Sequence, residues 1–341
     1  MNDFENDDFV VKLAVVGAGG QGCNLVNRLY VGGIKSATTI ALNTDANHLN
    51  IVKAHKKLLI GGSLTRGLGA GGFPEVGAKA ADASREDIRK AVTGYNVVFV
   101  AAGMGGGTGG GSAPIIAEIA REEGALVVAF VTYPFALERS RKKKADWSID
   151  QLSKQADTTV IIENDRLMSY APNLPMEKAF DLIDSIASNA VKGIADTITM
   201  PSLINLDFAD VRTIMANAGT AMINVGYGQG SDKVEKAVRS TVSHPLLDVD
   251  LEGAKSALVH VTGGNALTIS EATEVGAGVT AGLADNANVI FGSRLEPDFR
   301  DQIRVMSIVT GVKPKFGTAS TLLGKEAKHD ANYVAGLETL L

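Results

Sequence analysis

The ten residues Gly103-Met104-Gly105-Gly106-Gly107-Thr108-Gly109-Gly110-Gly111-Ser112 constrain this chain more than any other segment, because seven of the first nine are glycine. Glycine loses more backbone freedom on folding than any other residue, and an ordinary turn needs far fewer of them. The run follows a buried-type strand, Val97–Ala101, and leads into a helical pattern over Ala113–Glu123, with Pro114 suited to a first turn. A strand–helix junction built of glycine lets backbone N–H groups wrap a di- or triphosphate at the positive end of a helix. Gly103, Gly105, Gly106, Gly107, Thr108 and Gly109 are therefore candidate phosphate contacts, Thr108 adding a hydroxyl donor.

A second loop has the same setting. Gly17-Ala18-Gly19-Gly20-Gln21-Gly22-Cys23-Asn24 follows the apolar run Val11–Val16 and precedes a helix expected over Asn24–Val31. It fits G-x-G-x-x-G, with Asn43-Thr44-Asp45 closing the next strand and Asp45 roughly 20 residues on, the dinucleotide fingerprint. On its own this loop allows a nicotinamide-dependent oxidoreductase. Two such loops on adjacent strands favour one nucleotide spanning both. No G-x-x-x-x-G-K-[ST] sequence occurs, so backbone rather than a lysine would hold the phosphates. The stretch Gly61–Gly72 reads as flexible, and Ala70, Gly71 and Gly72 within it suit a sensor closing over the terminal phosphate.

Apolar runs alternate with helical spacing over Lys57–Ile60, Ala78–Ala91, Leu126–Val131 and Val160–Ile162, which predicts a parallel sheet covered on both faces. Met176–Thr197 reads as one long helix and Asp207–Asn217 as another. Beyond about residue 220 the strands Ala257–Thr262, Asn288–Phe291 and Ile303–Thr310 surround a helix at Ser270–Leu283, a second α/β unit. The expected organisation is an acidic lead (1–9), a nucleotide-binding domain (10–175), a central helix and loop (176–220), a smaller α/β domain (221–312) and a tail (313–341).

Net charge −5 among 341 residues argues against nucleic acid as the main partner. A single cysteine, Cys23, excludes an internal disulfide framework and fits the cytoplasm. The longest apolar runs are too short to insert into a bilayer. The histidines are dispersed without metal-ligand spacing, so no protein metal site is expected.

The GGGTGGG run resembles the phosphate-binding signature of the tubulin/FtsZ superfamily. The likeness extends over roughly residues 10–312 through LNTDA at 42–46, LTRGLGAGGFPEVG at 64–77, ENDRL at 163–167 and LINLDFADVRTIMANAGTA at 203–221. It is similar to the cell-division branch of that superfamily, and its basic run at 139–144 leans toward an archaeal form. The resemblance implies a Rossmann-like GTPase domain, a long central helix and a C-terminal activation domain. It implies GTP/GDP and Mg2+ as ligands, head-to-tail homopolymers at a cytoplasmic division site, and division or membrane-anchor partners through the tail. By position it assigns Gly20, Gln21, Gly22 and Asn24 with Gly107, Thr108 and Gly109 to the nucleotide, Glu138 with Arg141 or Lys142 to the ribose side, and Asn164, Phe180 and Asp184 to guanine; Gly19, Cys23, Asn43 and Asp45 are further candidate nucleotide contacts. Phe180 and Asp184 are four apart on one helix face, so a ring can stack while a carboxylate accepts guanine N–H bonds. Gly110 departs from the signature, whose second threonine would stand there.

Asn205, Asp207 and Asp210 lie where a loop enters a helix. Alone, two acids there read as a cap and a first-turn charge. The resemblance makes them the catalytic loop. Two carboxylates fixed beside a triphosphate would repel it, so delivery by a neighbouring subunit is the expectation. Such a head-to-tail contact does not close and generates filaments.

Overall fold

The computed structural model describes residues 11–166, 173, 175–242, 249–250 and 254–314. The acidic lead at 1–9, Leu167 of ENDRL and the tail beyond 314 lie outside these residues.

The first half contains the strands Leu13–Ala18 (β1), Thr38–Asn43 (β2), Lys56–Leu59 (β3), Val97–Gly103 (β4), Leu126–Tyr133 (β5) and Thr158–Glu163 (β6). Its helices are Gly19–Val31 (α1), Ala46–Ile51 (α2), Gly62–Thr65 (α3), Pro74–Ala83 (α4), Arg85–Val92 (α5), Gly107–Glu122 (α6) and Arg139–Ser153 (α7). The strands pair in parallel in the order β3-β2-β1-β4-β5-β6. This is the doubly wound order, in which connections leave β1 and β4 in opposite directions and open a crevice at their C-terminal ends. The side-chain alternation of a strand explains why both faces are covered. Leu13 and Val15 of β1 join the core beneath α1, while Ala14 and Val16 join the core beneath α4, α5 and α6.

Met176–Thr199 (α8) is the long central helix, followed by Phe208–Met215 (α9). Ile183, Ala187, Ala190, Val191, Ile194 and Ala195 form a helical-period apolar stripe along α8, all buried. The stripe belongs to one continuous core with α1 on one side and Met222, Met306 and Ile308 on the other. The rest of the chain forms Gly219–Gln229 (β7), Lys233–Val242 (α10), Val249–Asp250 (β8), Ser256–Gly263 (β9), Ile269–Thr280 (α11), Asn288–Leu295 (β10), Gln302–Thr310 (β11) and Lys313–Pro314 (β12). Its sheet runs β10-β9-β11-β7 and abuts β6 through only two register pairs, Thr158↔Gly219 and Thr159↔Thr220. The result is one ten-stranded, mostly parallel sheet, in keeping with the α/β class expected from the sequence.

Several boundaries move. Helix α1 begins at Gly19, not Asn24, and α6 at Gly107, not Ala113, so both glycine loops pass directly into helix. The single helix expected over 78–91 is two helices meeting at Ser84. Helix α7, strand β7 and helix α10 were not anticipated.

Candidate functional site

The two glycine loops meet at the switch point between β1 and β4. Gly19, with φ 72°, turns the chain from β1 into α1. Gly17 and Gly22 serve packing: a Cβ on Gly17 would strike the Gly22 carbonyl, and one on Gly22 the Ala101 carbonyl. The third glycine of the fingerprint thus brings α1 close to the sheet. Cys23 sends its thiol inward, 3.5 Å from the Gly17 and Leu42 carbonyls, and burial pushes it up to about 12, so it is an inert core group.

The glycine run divides in two. Gly103, Gly105 and Gly106 form the loop, Gly105 with φ 87°. Gly107, Gly109, Gly110 and Gly111 are helical, and neighbouring elements demand their smallness. A Cβ on Gly107 would lie 2.8 Å from the Phe73 nitrogen, one on Gly110 2.6 Å from Ser148 Oγ, and one on Gly111 against the Pro74 carbonyl. The second half of the run thus has a packing use besides any ligand: it lets α4 and α7 touch the backbone of α6. Gly110 is explained by Ser148, whose buried hydroxyl occupies the space of a side chain at 110.

Open space lies on the other side. A Cβ on Gly20 or Gly72 would meet nothing within 4 Å, and one on Gly106 only the Gly103 carbonyl at 3.9 Å. These surround the N-terminal ends of α1 and α6, where N–H groups await an anion. Thr108 Oγ1 is 2.6 Å from Thr44 Oγ1, which joins the loop after β2 to the run. Asn43 is spent on this turn, its Oδ1 accepting from the Thr44 and Asp45 nitrogens at 2.9 and 3.3 Å. Asp45 caps α2 by accepting from the His48 nitrogen.

The stretch 61–72, expected to be flexible, is folded. It holds α3 and five glycines with positive φ, bonded to the β2 loop by Ala46 N→Gly67 O at 3.0 Å and Gly69 N→Thr44 O at 3.1 Å. Lys144 of α7 fixes its end, donating to the Gly72 carbonyl at 2.6 Å with its ammonium 4.9 Å from the Phe73 ring centre. Ala70 is buried while Gly71 and Gly72 are exposed. Glu138, just before α7, accepts from the Phe135 nitrogen at 3.1 Å and from Arg141 at 2.7 Å. Lys142 instead lies over the Tyr133 ring. A Cβ on Gly105 would be 2.7 Å from the Arg141 carbonyl, so the start of α7 rests on the phosphate loop.

On the far side of α1, a cleft is lined by Asn24, Asn27, Arg28, Phe180, Asp181 and Asp184. Phe180 is half-exposed and meets Phe135 edge-on at 6.1 Å. Burial raises the Asp184 carboxyl to about 6, with Arg28 opposing and Asp181 adding. Asn164, after β6, is buried with an Oδ1 that has no protein donor. An orphan acceptor, an exposed ring and a raised carboxyl fit a base rich in N–H donors, and the open glycine cradle fits its phosphates.

Asn205, Asp207 and Asp210 lie elsewhere. Asp207 caps α9 in a reciprocal box: it accepts from the Asp210 nitrogen at 2.9 Å, and Asp210 accepts from the Asp207 nitrogen at 3.0 Å. The end of α9 is tied to the start of β6, Thr158 donating to the Met215 carbonyl at 2.6 Å and Asp157 accepting from the Asn217 nitrogen. The glycine loops stand at the C-terminal ends of parallel strands, and the C-terminal end of α9 is anchored at the N-terminal end of one. Six strand residues separate the two ends by about 20 Å.

Residues 12–172 match the family described as Tubulin/FtsZ family, GTPase domain, and residues 219–313 match FtsZ family, C-terminal domain. Cell division protein FtsZ 2 of Methanocaldococcus jannaschii is 52% identical over 320 residues, 93% of this chain and 83% of that one. The chain belongs to the FtsZ family. Cell division protein FtsZ 1 of Archaeoglobus fulgidus is 49% identical over 88% of this chain and 82% of its own length. Among solved structures, an empty FtsZ dimer from M. jannaschii superposes with TM-score 0.83 at 45% identity, covering 89% of each chain. A GTPγS-bound CetZ2 protofilament from Haloferax volcanii superposes with TM-score 0.77 at 20% identity, over 96% of this chain and all of that one, a likeness of fold alone. Membership in the FtsZ family carries a GTP-binding GTPase domain and sets the oxidoreductase reading aside. Sequence reasoning missed Thr44, Lys144 and Ser148 within this FtsZ site. The basic run pointed to the neighbourhood of Lys144, and Asn43 and Asp45 flanked Thr44, but nothing local flagged Ser148.

Proposed function

We propose that this chain is a GTP-dependent, filament-forming cell-division protein that hydrolyses GTP only between subunits. Gly19, Gly20, Gln21, Gly22 and Asn24 with Gly103 to Gly109 would hold the phosphates, Glu138 and Arg141 the ribose side, and Asn164, Phe180 and Asp184 guanine. Ala70 to Gly72 would close over the terminal phosphate. Mg2+ fits the phosphate oxygens and nearby hydroxyls such as Thr108. It would neutralise charge in phosphoryl transfer. Among the described residues no group of three or more His, Cys, Asp or Glu is placed to hold a metal.

What supports the reading is the central helix α8: Phe180 and Asp184 lie in its first turns, and the loop carrying Asn205, Asp207 and Asp210 follows its far end, the helix being 24 residues and about 36 Å long. A head-to-tail neighbour brings its Asn205, Asp207 and Asp210 to this chain's pocket. Exposed apolar residues mark both ends: Leu68, Phe73 and Leu137 beside the pocket, Met200, Leu203 and Ile204 beside the catalytic loop. In the assembled site Asp207 and Asp210 orient a water. Its oxygen bonds to the γ-phosphorus, the bond to the β–γ bridging oxygen breaks, and GDP leaves with the electron pair while the water's proton passes to a carboxylate. Assembly at the division site follows the role carried in the relatives' names. No helix among the described residues is long and apolar enough to cross a membrane. Division or anchor partners of the tail would supply attachment there.

Phosphate release per subunit, measured against protein concentration with light scattering on the same samples, tests this. Turnover rising together with scattering, and Asp210→Ala binding GTP but turning over at least tenfold more slowly, is the expected result. Constant turnover per subunit across the assembly range would sink it.

A further inference from the structure

Three residues of the loop 202–206 are gripped by strand residues with no part in the mechanism above. Ser202 Oγ is 3.3 Å from His260 Nε2 on β9. Ile204 exchanges two backbone hydrogen bonds with Ser293 on β10, at 3.0 and 3.1 Å. Leu206 is buried in a space that Gly292 leaves open, where a Cβ would lie 2.5 Å from Leu206 Cγ. Leu203, Asn205, Asp207 and the side chain of Ile204 are left exposed.

The grip is itself anchored by one residue. Arg294, next to Ser293, is 5% exposed. Its Nη1 donates to the Asp196 carbonyl in the last turn of α8 at 3.2 Å, and its Nη2 pairs with Glu296 at 2.8 Å. Arg304 shares Glu296 at 3.3 Å. The buried Asp196 carboxylate in turn accepts from Ser36, in the connection between α1 and β2, at 2.9 Å. Removing this guanidinium would leave the Asp196 carbonyl without its donor and Glu296 to Arg304 alone. One chain of polar contacts therefore joins the nucleotide domain, the end of the central helix and the strand that carries the loop.

We infer that Arg294, with His260 behind Ser202, is a positioning residue for GTP hydrolysis, setting where Asn205, Asp207 and Asp210 stand when they reach the next subunit's nucleotide. This rests on the reading of those three residues as catalytic. Arg294 acts on the loop a subunit gives, not on the pocket it offers. Small displacements at a reacting centre cost large factors in rate, so the effect is on kcat.

The test uses Arg294→Met, with Ser202→Ala as a milder variant that removes one hydroxyl from a partly exposed site. Fluorescent GDP affinity of the monomer, kcat and KM for GTP, and mixed assemblies are measured. The expected result is GDP affinity within twofold of the parent, kcat lowered about tenfold for Arg294→Met and about threefold for Ser202→Ala, and KM little changed. Mixing Arg294→Met with Asp184→Ala, whose loop is intact and whose pocket is not, restores turnover. Mixing it with Asp210→Ala does not. Parent-like kcat in both variants, weakened GDP binding by the monomer, or restoration by Asp210→Ala would each overturn the inference. Parent turnover in Asp210→Ala alone would overturn the catalytic reading and this inference with it.

Discussion

At the scale of single residues, the proposed recognition of guanine by Asp184 would carry a cost. Burial raises its carboxyl to about 6, yet accepting guanine N–H bonds requires the ionised form. Nucleotide affinity is therefore full above that value and falls as pH drops through it, by up to about tenfold per unit. The empty fold behaves oppositely. A carboxyl raised from 3.8 to about 6 binds more protons folded than unfolded, so its ionisation costs stability as pH rises through that window. Titrating GDP binding from pH 5 to 8 should give a step near 6 that Asp184→Asn abolishes, at lower affinity throughout. An unchanged step in Asp184→Asn would remove the carboxyl as its source. None of this raised pKa was legible in the sequence, which offered only a helical i, i+4 pair. Burial beside Leu25 and Ile183 around a cavity of about 10 Å³ is a property of the packed helices α1 and α8.

At the scale of elements, the proposed catalytic role would give the carboxylates of α9 a second use. Asp207 and Asp210 form a reciprocal cap whether or not a neighbour is present. Asparagine caps a helix as well as aspartate does, and alanine loses about 1 kcal/mol. Asp207→Asn should thus retain the parent melting temperature and lose most turnover, while Asp207→Ala loses turnover and about 1 kcal/mol of stability. Thermal unfolding beside phosphate release checks both; equal destabilisation by the two variants would contradict the cap. The elements the sequence concealed share a reason with those it disclosed. Helix α7 opens with Arg-Ser-Arg-Lys-Lys-Lys and buries only Ala145, Ser148, Ile149 and Leu152, so its apolar stripe is faint. Strand β7 contains Gly226 and Gly228, which read as loop. They admit α10, since Cβ atoms there would collide with Thr241 and with the Lys233 carbonyl. Strands β1, β4 and β5 were plain because burial on both faces demands unbroken apolar runs. The phosphate loops were plain because few other purposes tolerate so much glycine, although half of one run turned out to serve helix packing.

At the scale of the whole molecule, the proposed site is divided between the two ends of the central helix α8, and its halves can be disabled separately. Asp210→Ala keeps its pocket and Asp184→Ala keeps its loop. Each alone should be nearly inactive, and an equimolar mixture should recover a measurable fraction of parent turnover. No recovery, with both variants folded and co-sedimenting, would argue against a shared site. The organisation of the fold could be read from the alternation of strand and helix. The placement of α9 could not, because it depends on Thr158 and Asp157 at the start of β6 receiving the chain some sixty residues later.

The uniform direction of β1 to β6 also has an arithmetic consequence. If every pocket lies at one end of a subunit and every catalytic loop at the other, a row of n subunits carries n nucleotides but only n − 1 complete sites. The one left over is always at the same tip, open to solvent and unable to be spent by its own chain. That tip keeps its triphosphate or trades it freely, while every interior position ages. A polarity of strands thereby becomes a polarity of time along the row, with the two tips differing in what they hold as well as in which way they face.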